Sequence, residues 1–177
     1  MRISWSLLKA WSGKNYQMVE DILFRLPSFQ SEAMKKGSDV HEYIAENKLD
    51  VLDFYTEQTL YEKKFVIPHG EDTFVCILDT YDPEQKFMVD YKVSKSSANS
   101  QDKRQLYMYN YLLGLAGEPT CEKGYMVQLK PDNDIEDVEV LSIAEYNISN
   151  TEEIEKWIEK NVEELKLYVK ETYGIQA

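Results

Sequence analysis

Cysteine is nearly absent from this chain. Its 177 residues include only Cys76 and Cys121. Two cysteines this far apart are too few for a structural zinc site or a disulfide framework, and a four-cysteine iron-sulfur cluster is excluded within one chain. We interpret both as small, buried apolar residues of a protein that works in a reducing compartment, and we therefore expect a cytoplasmic location.

Long hydrophobic runs are also missing. The first residues carry a short apolar patch, Trp5 to Trp11, that is interrupted by Ser6 and Lys9. This pattern does not resemble a secretory signal, and no segment reaches the roughly 20 apolar residues of a membrane-spanning helix. The sequence shows no internal repeat. With 43% hydrophobic residues, we expect residues 1–177 to form one domain with its own core and no membrane contact.

Positive charge is scarce. The chain has 20 Lys and Arg against 32 Asp and Glu, a net charge of -12. The excess is concentrated in residues 131–177, which hold 13 acidic and 4 basic side chains. The rest of the chain is nearly balanced, and Lys92, Lys95, Lys103 and Arg104 are close together in it. These four side chains could contact the phosphates of a nucleic acid, or they could belong to an ordinary solvated loop.

A β-hairpin with ionisable residues is the most informative feature that is present. The segment from Thr73 to Thr80 is largely apolar, Asp82 to Gln85 has the composition of a turn, and Lys86 to Val93 is again rich in β-forming residues. This order predicts two antiparallel strands that are joined by a short loop.

The loop length sets which residues face each other. With Tyr81 opposite Lys86, Asp79 lies opposite Met88, and Asp90 becomes its diagonal neighbour. A three-residue loop would instead place Asp79 and Asp90 on opposite faces. Side chains alternate along a strand, so Lys92 joins both aspartates on one face. The same alternation predicts that the other face is apolar and belongs to the core, through Phe74, Cys76, Leu78, Phe87, Val89, Tyr91 and Val93.

Two aspartates and a lysine on one face are suited to phosphodiester hydrolysis. Diagonal neighbours are roughly 7 to 8 Å apart, so Asp79 and Asp90 could share a divalent cation that activates a water molecule. The ammonium of Lys92 could orient that water or neutralise charge on the phosphate. The alternative is a solvated hairpin face with an ordinary Asp and Lys pair.

Several segments in one order resemble a known family. They are Ile3-Ser4-Trp5-Ser6, Gly37 to Tyr43 with a Gly-x-x-x-His spacing, Ile77-Leu78-Asp79, Val89-Asp90-Tyr91-Lys92, and Gln105 to Tyr109 with a Gln-x-x-x-Tyr spacing. Together they resemble the motifs of the PD-(D/E)XK nuclease superfamily in its RecB-like exonuclease branch. The chain departs from that pattern at Cys76, where the family usually has glycine, and in lacking the cysteines of the iron-sulfur members.

The resemblance implies a set of site residues. It assigns His41, Asp79, Asp90 and the backbone carbonyl of Tyr91 as ligands of one or two cations, with Lys92 assisting the attacking water. A histidine among oxygen ligands makes Mn²⁺ an alternative to Mg²⁺. No iron-sulfur cluster is expected.

Three further side chains are candidates with an ordinary alternative. Glu62, near the start of a predicted strand from Tyr61 to Ile67, is either an additional ligand or a plain edge-strand residue. Gln105 and Tyr109 share one helix face, where the resemblance implies contacts with the lysine and the nucleic acid. Tyr109 could instead pack in the core.

The remaining elements complete the prediction of the fold. Gly37 or Ser38 could cap a helix that ends near Asn47 and has His41 in its first turn. Helices are also predicted over 4–11, 15–24, 101–116 and 151–172, and strands over 124–129 and 138–143. We expect a single-domain α/β fold with a central mixed sheet flanked by helices, as the resemblance also implies.

The functional expectation is a divalent-metal-dependent DNA nuclease. The resemblance favours an exonuclease that acts on single-stranded DNA or on duplex ends, with recombination or replication proteins, for example of a phage, as possible partners. One alternative is a structure-selective endonuclease. Another is a binding module for nucleic acid or protein that has this fold and does not cleave.

Overall fold

The computed structural model describes residues 1–26, 32–93, 97–130 and 138–175. In chain order the elements are β1 (Arg2–Ser4), α1 (Trp5–Ser12), α2 (Tyr16–Leu23), α3 (Glu32–Asn47), β2 (Leu60–His69), β3 (Asp72–Asp82), β4 (Phe87–Val93), a 3₁₀ turn (Ala98–Ser100), α4 (Arg104–Leu115), β5 (Lys123–Leu129), β6 (Val140–Asn147) and α5 (Glu152–Tyr173). None of the helices in these ranges is long and apolar enough to cross a membrane.

The strands form one mixed, six-stranded sheet. The order β1-β3-β4-β5-β6 runs across it, and β2 pairs with the other side of β3. The β1–β3 and β4–β5 pairs are parallel, whereas β2–β3, β3–β4 and β5–β6 are antiparallel. This arrangement confirms the predicted α/β fold with a mixed sheet and flanking helices.

Helices cover both faces of the sheet. Helices α1, α4 and α5 pack on one face, where Trp5, Leu106 and Ile158 belong to a single buried cluster with β3 residues. Helix α3 covers the opposite face of β4 and β5 through Val40 and Ile44. A sheet buried on both faces explains why its central strands are apolar at consecutive positions rather than at alternate ones.

The single apolar face predicted for the hairpin is therefore wrong. Phe74, Cys76 and Leu78 of β3 pack on the side of α4. Phe87, Val89 and Tyr91 of β4 pack on the side of α3. The two sets separate because the alternation along β3 breaks after Leu78: the next residues are Asp79 and Thr80, and the Thr80 hydroxyl already bonds Tyr91 on the α3 side.

The predicted hairpin register is also wrong, by two residues. Tyr81 pairs with Met88, and Asp82 pairs with Phe87. The loop therefore consists of residues 83–86, and its last residue, Lys86, has a left-handed φ of 54°. Continuing this register places Asp90 directly opposite Asp79 instead of diagonal to it.

Helix α3 begins well before the predicted cap. It starts at Glu32, so His41 lies in the middle of the helix and not in its first turn. Ser38 does not cap the helix either, because its hydroxyl donates to the carbonyl of Met34 within it. The residues before Gly37 are good helix formers, and they outweigh the roughly 1 kcal/mol that one internal glycine costs. Strand β1, Arg2–Ser4, was not predicted.

The connection between β4 and β5 determines where α4 begins. These strands are parallel and adjacent, so the chain must cross over between them, and α4 is the crossover helix. Such a helix starts beyond the carboxyl end of the preceding strand. Gln105, in the first turn of α4, is thereby held above Asp90 and Lys92 of β4.

Asp82 anchors the hairpin turn. Its carboxylate accepts hydrogen bonds from the backbone N–H groups of Glu84 and Gln85 and from the hydroxyls of Thr56 and Thr59. Burial alone would raise the pKa of Asp82, but these bonds lower it below the usual value. The carboxylate therefore links the turn to the loop that precedes β2 through hydrogen bonds.

We expect Asp82→Asn to lower the free energy of unfolding by about 2 kcal/mol at pH 7, because an amide replaces one acceptor oxygen. A carboxyl with a lowered pKa stabilises the protein above its unfolded pKa and loses that effect as pH falls through the folded value. The difference from wild type should therefore shrink below about pH 4. Urea denaturation at several pH values measures it, and a difference that does not change with pH would contradict the role of the charge.

Candidate metal centre

Asp79 lies where the sheet opens. On one side of β3, β1 pairs with residues 73–75 and β4 pairs with residues 80–82. Between these two ladders, none of the described strands pairs with β3 on that side. The backbone N–H of Tyr91 donates to Asp79 Oδ2 at 2.8 Å, so a side chain takes the acceptor role that a strand would otherwise supply.

The register of β2 and β3 places Glu62 beside Asp79, although the backbone of Glu62 is irregular. Tyr61 pairs with Thr80 and Lys63 pairs with Leu78, but the ladder skips Glu62. The backbone of Glu62 has a φ of 47°, a left-handed conformation that costs a residue with a side chain about 1 kcal/mol or more. Such backbone strain in the middle of a strand indicates a position at which the direction of the side chain is kept at the expense of ladder hydrogen bonds.

His41 approaches the same point from α3. Its Nδ1 is 3.5 Å from Asp79 Oδ1, and its ring meets the ring of Tyr91 edge-on, with centroids 5.9 Å apart. The neighbouring Val40 and Ile44 are buried against β4 and β5. Packing of this helix face therefore fixes where the imidazole lies.

His41, Glu62 and Asp79 form a donor set that fits a metal ion. Each offers one ligand atom, and the three atoms lie within 4.8 Å of one another. Ligand atoms at about 2.0 to 2.2 Å from a common ion lie no farther apart than about 4.4 Å, so small side-chain adjustments suffice. One nitrogen and two carboxylate ligands suit Mg²⁺, Mn²⁺ and similar divalent ions.

Asp90 and Lys92 form a second group on the α4 side of the strand. Asp90 is 3% exposed, and its Oδ2 is 2.7 Å from Lys92 Nζ. Gln105 joins the two residues: its Nε2 donates to Asp90 Oδ1, and its Oε1 accepts from Lys92 Nζ at 3.1 Å. The Lys92 side chain is 29% exposed, whereas that of Asp90 is buried.

Negative charge is in excess at the centre. Burial would lower the pKa of His41, but Asp79, Asp90 and Glu62 raise it above the usual value. Burial and the charge of Asp79 raise the pKa of Glu62. Burial raises the pKa of Asp90 despite the opposing effect of Lys92. The charge of Asp79 contributes to all three shifts, so another positive charge would be favourable here, which is what a divalent cation supplies.

Hydroxyl groups fix the position of Tyr91. Its OH bonds to the hydroxyls of Tyr55 at 2.6 Å and Thr80 at 2.9 Å, and its N–H holds Asp79. The sequence predicted a backbone ligand and an apolar core side chain at this position, but not the hydrogen bonds to Tyr55 and Thr80. A tyrosine in an apolar strand next to a threonine could have suggested a buried hydrogen bond, but Tyr55 lies too far away in sequence to be found.

The predicted substrate-binding residues are divided between two places. Tyr109 is 8% exposed, and its hydroxyl accepts from Gln105 Nε2 at 3.1 Å, so it lies beneath the second group of the centre. Lys103 lies over the ring of Tyr146, and Arg104 lies over the ring of Trp157. Neither of these contacts is with the acidic residues of the centre. Lys95 lies outside the described residues.

We expect Glu62→Gly to be about 1 kcal/mol more stable than Glu62→Ala, because glycine adopts a left-handed φ without the clash of a Cβ atom. Both variants should bind Mn²⁺ more weakly than wild type because both lack the carboxylate. Urea denaturation and calorimetric titration measure the two effects separately. An alanine variant as stable as the glycine variant would show that position 62 carries no backbone strain.

The sequence matches no protein-family model and no curated protein. Solved structures are similar. A candidate exonuclease from Eubacterium rectale has a TM-score of 0.66 and 15% identity over 97% of this chain and 82% of its own. A phage-related exonuclease from Haemophilus somnus 129PT has a TM-score of 0.60 and 16% identity over 93% of this chain and 82% of its own. The alkaline exonuclease LHK-Exo of Laribacter hongkongensis, also solved with dAMP, has a TM-score of 0.56 and 13% identity over 97% of this chain and 91% of its own.

These similarities cover 93% to 97% of this chain and 82% to 91% of the other chains, so the likeness is one of overall fold and not of a single motif. The chain has the PD-(D/E)XK fold that its motifs led us to expect.

Proposed function

We propose, on the premise of the PD-(D/E)XK fold, that this chain is a divalent-metal-dependent deoxyribonuclease. The observation that carries the proposal is the acidic centre: His41, Glu62 and Asp79 offer ligand atoms within 4.8 Å of one another, next to a buried Asp90 that is paired with Lys92. A structural role alone does not account for so many charges in one place, because their repulsion destabilises the folded chain.

His41, Glu62 and Asp79 would hold the cation, and Asp90 and the backbone carbonyl of Tyr91 would complete its shell. A divalent ion bound there would lower the pKa of a coordinated water and neutralise charge on the phosphate. The chain therefore need not supply a strong general base of its own. Mg²⁺ and Mn²⁺ both suit this mixed set of nitrogen and oxygen donors.

Lys92 would position the reacting groups. Asp90 raises the pKa of Lys92 above the usual value despite its burial, so Nζ keeps its proton and can donate a hydrogen bond to the attacking water or to a phosphate oxygen. Gln105 holds both Lys92 and Asp90 through its amide, and Tyr109 holds that amide. These two α4 residues are therefore positioning residues.

The reaction joins a water oxygen to phosphorus and breaks the bond to the 3' oxygen, which leaves a 5'-phosphate and a 3'-hydroxyl. We propose an exonuclease on single-stranded DNA or duplex ends, because the exonucleases with this fold include one that was solved with a deoxynucleotide, dAMP. Recombination or replication proteins would deliver such ends to the enzyme.

Cleavage of end-labelled linear DNA, single-stranded and duplex, tests the proposal. We expect degradation with Mg²⁺ or Mn²⁺ and none with a chelator, and we expect a covalently closed circle to resist. Asp79→Asn serves as the control for contaminating nucleases. Cutting of the closed circle would assign an endonuclease instead, and intact DNA with both metals would refute the nuclease.

A further inference from the structure

A groove lies between the helices that cover the α4 side of the sheet. It is formed by the end of α1, the turn into α2, the start of α4 and the middle of α5, and it encloses about 640 Å³. That volume lies within the range of about 300 to 1,000 Å³ of sites that bind small molecules or parts of larger ones. We call it the basic groove because its lining includes Lys9, Lys14, Arg104 and Lys160.

The groove carries positive charge in a strongly acidic chain. Its two carboxylates already have partners: Asp102 pairs with Arg104 at 2.6 Å, and Glu164 lies 3.9 Å from Lys160. Lys9 and Lys14 are exposed, and in the part of the chain that the structure describes they form no ion pair within 4 Å. The lining therefore has a net charge of about +2, which favours an anion inside the groove.

Aromatic rings lie between these cations. Tyr16 is 45% exposed, and its ring stacks on that of Tyr168, with centroids 5.6 Å apart, and meets Trp11 edge-on. Trp157 lines the same groove beneath the guanidinium of Arg104. A ring that is supported from behind and open in front offers a flat surface on which an unpaired base can stack.

The groove and the metal centre share the first turn of α4. Asp102 and Arg104 line the groove, and the next residue, Gln105, donates to Asp90 in the centre. Arg104 and Gln105 are neighbours in the chain, with Cα atoms about 3.8 Å apart, so the start of α4 connects the groove to the Asp90 side of the centre.

We propose that the basic groove binds the single-stranded DNA whose phosphodiester bond lies at the metal centre, an inference that rests on the proposed nuclease. Phosphates contact Lys9 and Lys14, and a base stacks on Tyr16. The combination of cations with open rings favours a single strand, because the bases of a duplex are already stacked on each other and cannot reach a protein ring.

Binding of a fluorescein-labelled 20-nucleotide oligo(dT), measured by anisotropy in the presence of a chelator, tests the groove without any cleavage. The variants are Lys9→Gln with Lys14→Gln, and Tyr16→Ala. The matched control is Lys156→Gln with Lys170→Gln, which removes the same charge from exposed positions of α5 that do not line the groove.

We expect the groove double variant to bind about tenfold more weakly near 0.1 M salt, and the slope of log K against log salt to fall by about 1.4, since each lost phosphate contact on a single strand contributes about 0.7. Tyr16→Ala should also bind about tenfold more weakly, with an unchanged slope, because stacking releases no counterions. The control should remain within about twofold of wild type.

Equal affinities of the groove variant and the control would overturn the proposal, and so would a wild-type chain that does not bind the oligonucleotide. Displacement of the DNA by polyglutamate of equal charge would overturn the choice of nucleic acid. Cleavage assays distinguish this inference from the proposed function: a wild-type chain that binds DNA through the groove but cleaves none with Mg²⁺ or Mn²⁺ would refute the nuclease and leave the groove assigned.

Discussion

Asp79→Asn should lower the rate of DNA cleavage by about 10³-fold or more. The asparagine oxygen can still accept the hydrogen bond from the backbone N–H of Tyr91, so the strand geometry is kept. The variant loses the charge that holds the cation. A bound metal stabilises the transition state by several kcal/mol, and about 1.4 kcal/mol corresponds to a factor of ten in rate. Mn²⁺ titration should show weaker binding in parallel.

The stability of Asp79→Asn shows whether its loss of cleavage comes from loss of the cation or from unfolding of the variant. Burial is the main cause of the raised pKa values of Glu62 and Asp90, and the charge of Asp79 raises them further, so removing that charge relieves repulsion. We expect Asp79→Asn to be at least as stable as wild type without metal, a trade of stability against activity that is common at functional sites. Glu163→Gln, an equal charge change on the exposed side of α5, should cleave at the wild-type rate. A fully active Asp79→Asn would refute the metal assignment.

Lys92→Met should lower cleavage by about 10²- to 10³-fold, the usual effect of removing one electrostatic donor from a site. Methionine keeps the length of the side chain but has no charge and no proton to donate. Lys92 is absent from the ligand set formed by His41, Glu62 and Asp79, so Mn²⁺ titration should give an affinity close to that of wild type. Loss of metal binding in this variant would show that Lys92 acts through the ligands and not on the substrate.

The same substitution should also destabilise the protein, by about 3 kcal/mol at pH 8. It leaves the buried carboxylate of Asp90 without its cation, and breaking a buried pair from one side is costly. Burial raises the pKa of Asp90 and Lys92 opposes that shift, so the pKa should rise further in the variant. A carboxyl with a raised pKa destabilises the folded state most above that pKa, so the deficit should be smaller at pH 5 than at pH 8.

A double variant tests directly whether the unpaired charge of Asp90 causes the loss of stability in Lys92→Met. Asp90→Asn with Lys92→Met removes both charges, and Gln105 can still bond the new amide because its side chain both donates and accepts. We expect urea denaturation to show most of the lost stability recovered, because replacing both partners of a buried pair is often nearly neutral. Cleavage should stay lost. A double variant as unstable as Lys92→Met would contradict the unpaired-charge explanation.

The motifs were sufficient to identify the fold but not to orient the hairpin. Asp79, Asp90 and Lys92 were predicted on one face, with a single apolar face behind them. In the structure the alternation breaks at Asp79, so that Asp79 meets α3 while Asp90 and Lys92 meet α4. A period-two pattern cannot reveal such a break, because the two helices that cover the sheet are distant in sequence.

Glu62 is a single residue whose conformation the sequence pattern could not predict. The sequence left it as either a ligand or an edge-strand glutamate. Its left-handed backbone and its place beside Asp79 follow from the pairing of β2 with β3, and no local propensity favours that conformation for a glutamate. The long-range pairing overrides the local preference, so the strain becomes visible only in three dimensions.

The sequence by itself determined the class of this protein: an α/β chain with the ordered motifs of a PD-(D/E)XK fold, because spacing within one hairpin and one helix is a local property. Only the tertiary structure decided which side chains meet. His41, Glu62 and Asp79 come from a helix and two strands, and the basic groove joins α1, α4 and α5. Such contacts depend on how separate elements pack, and packing is set by the whole buried core and not by any one segment.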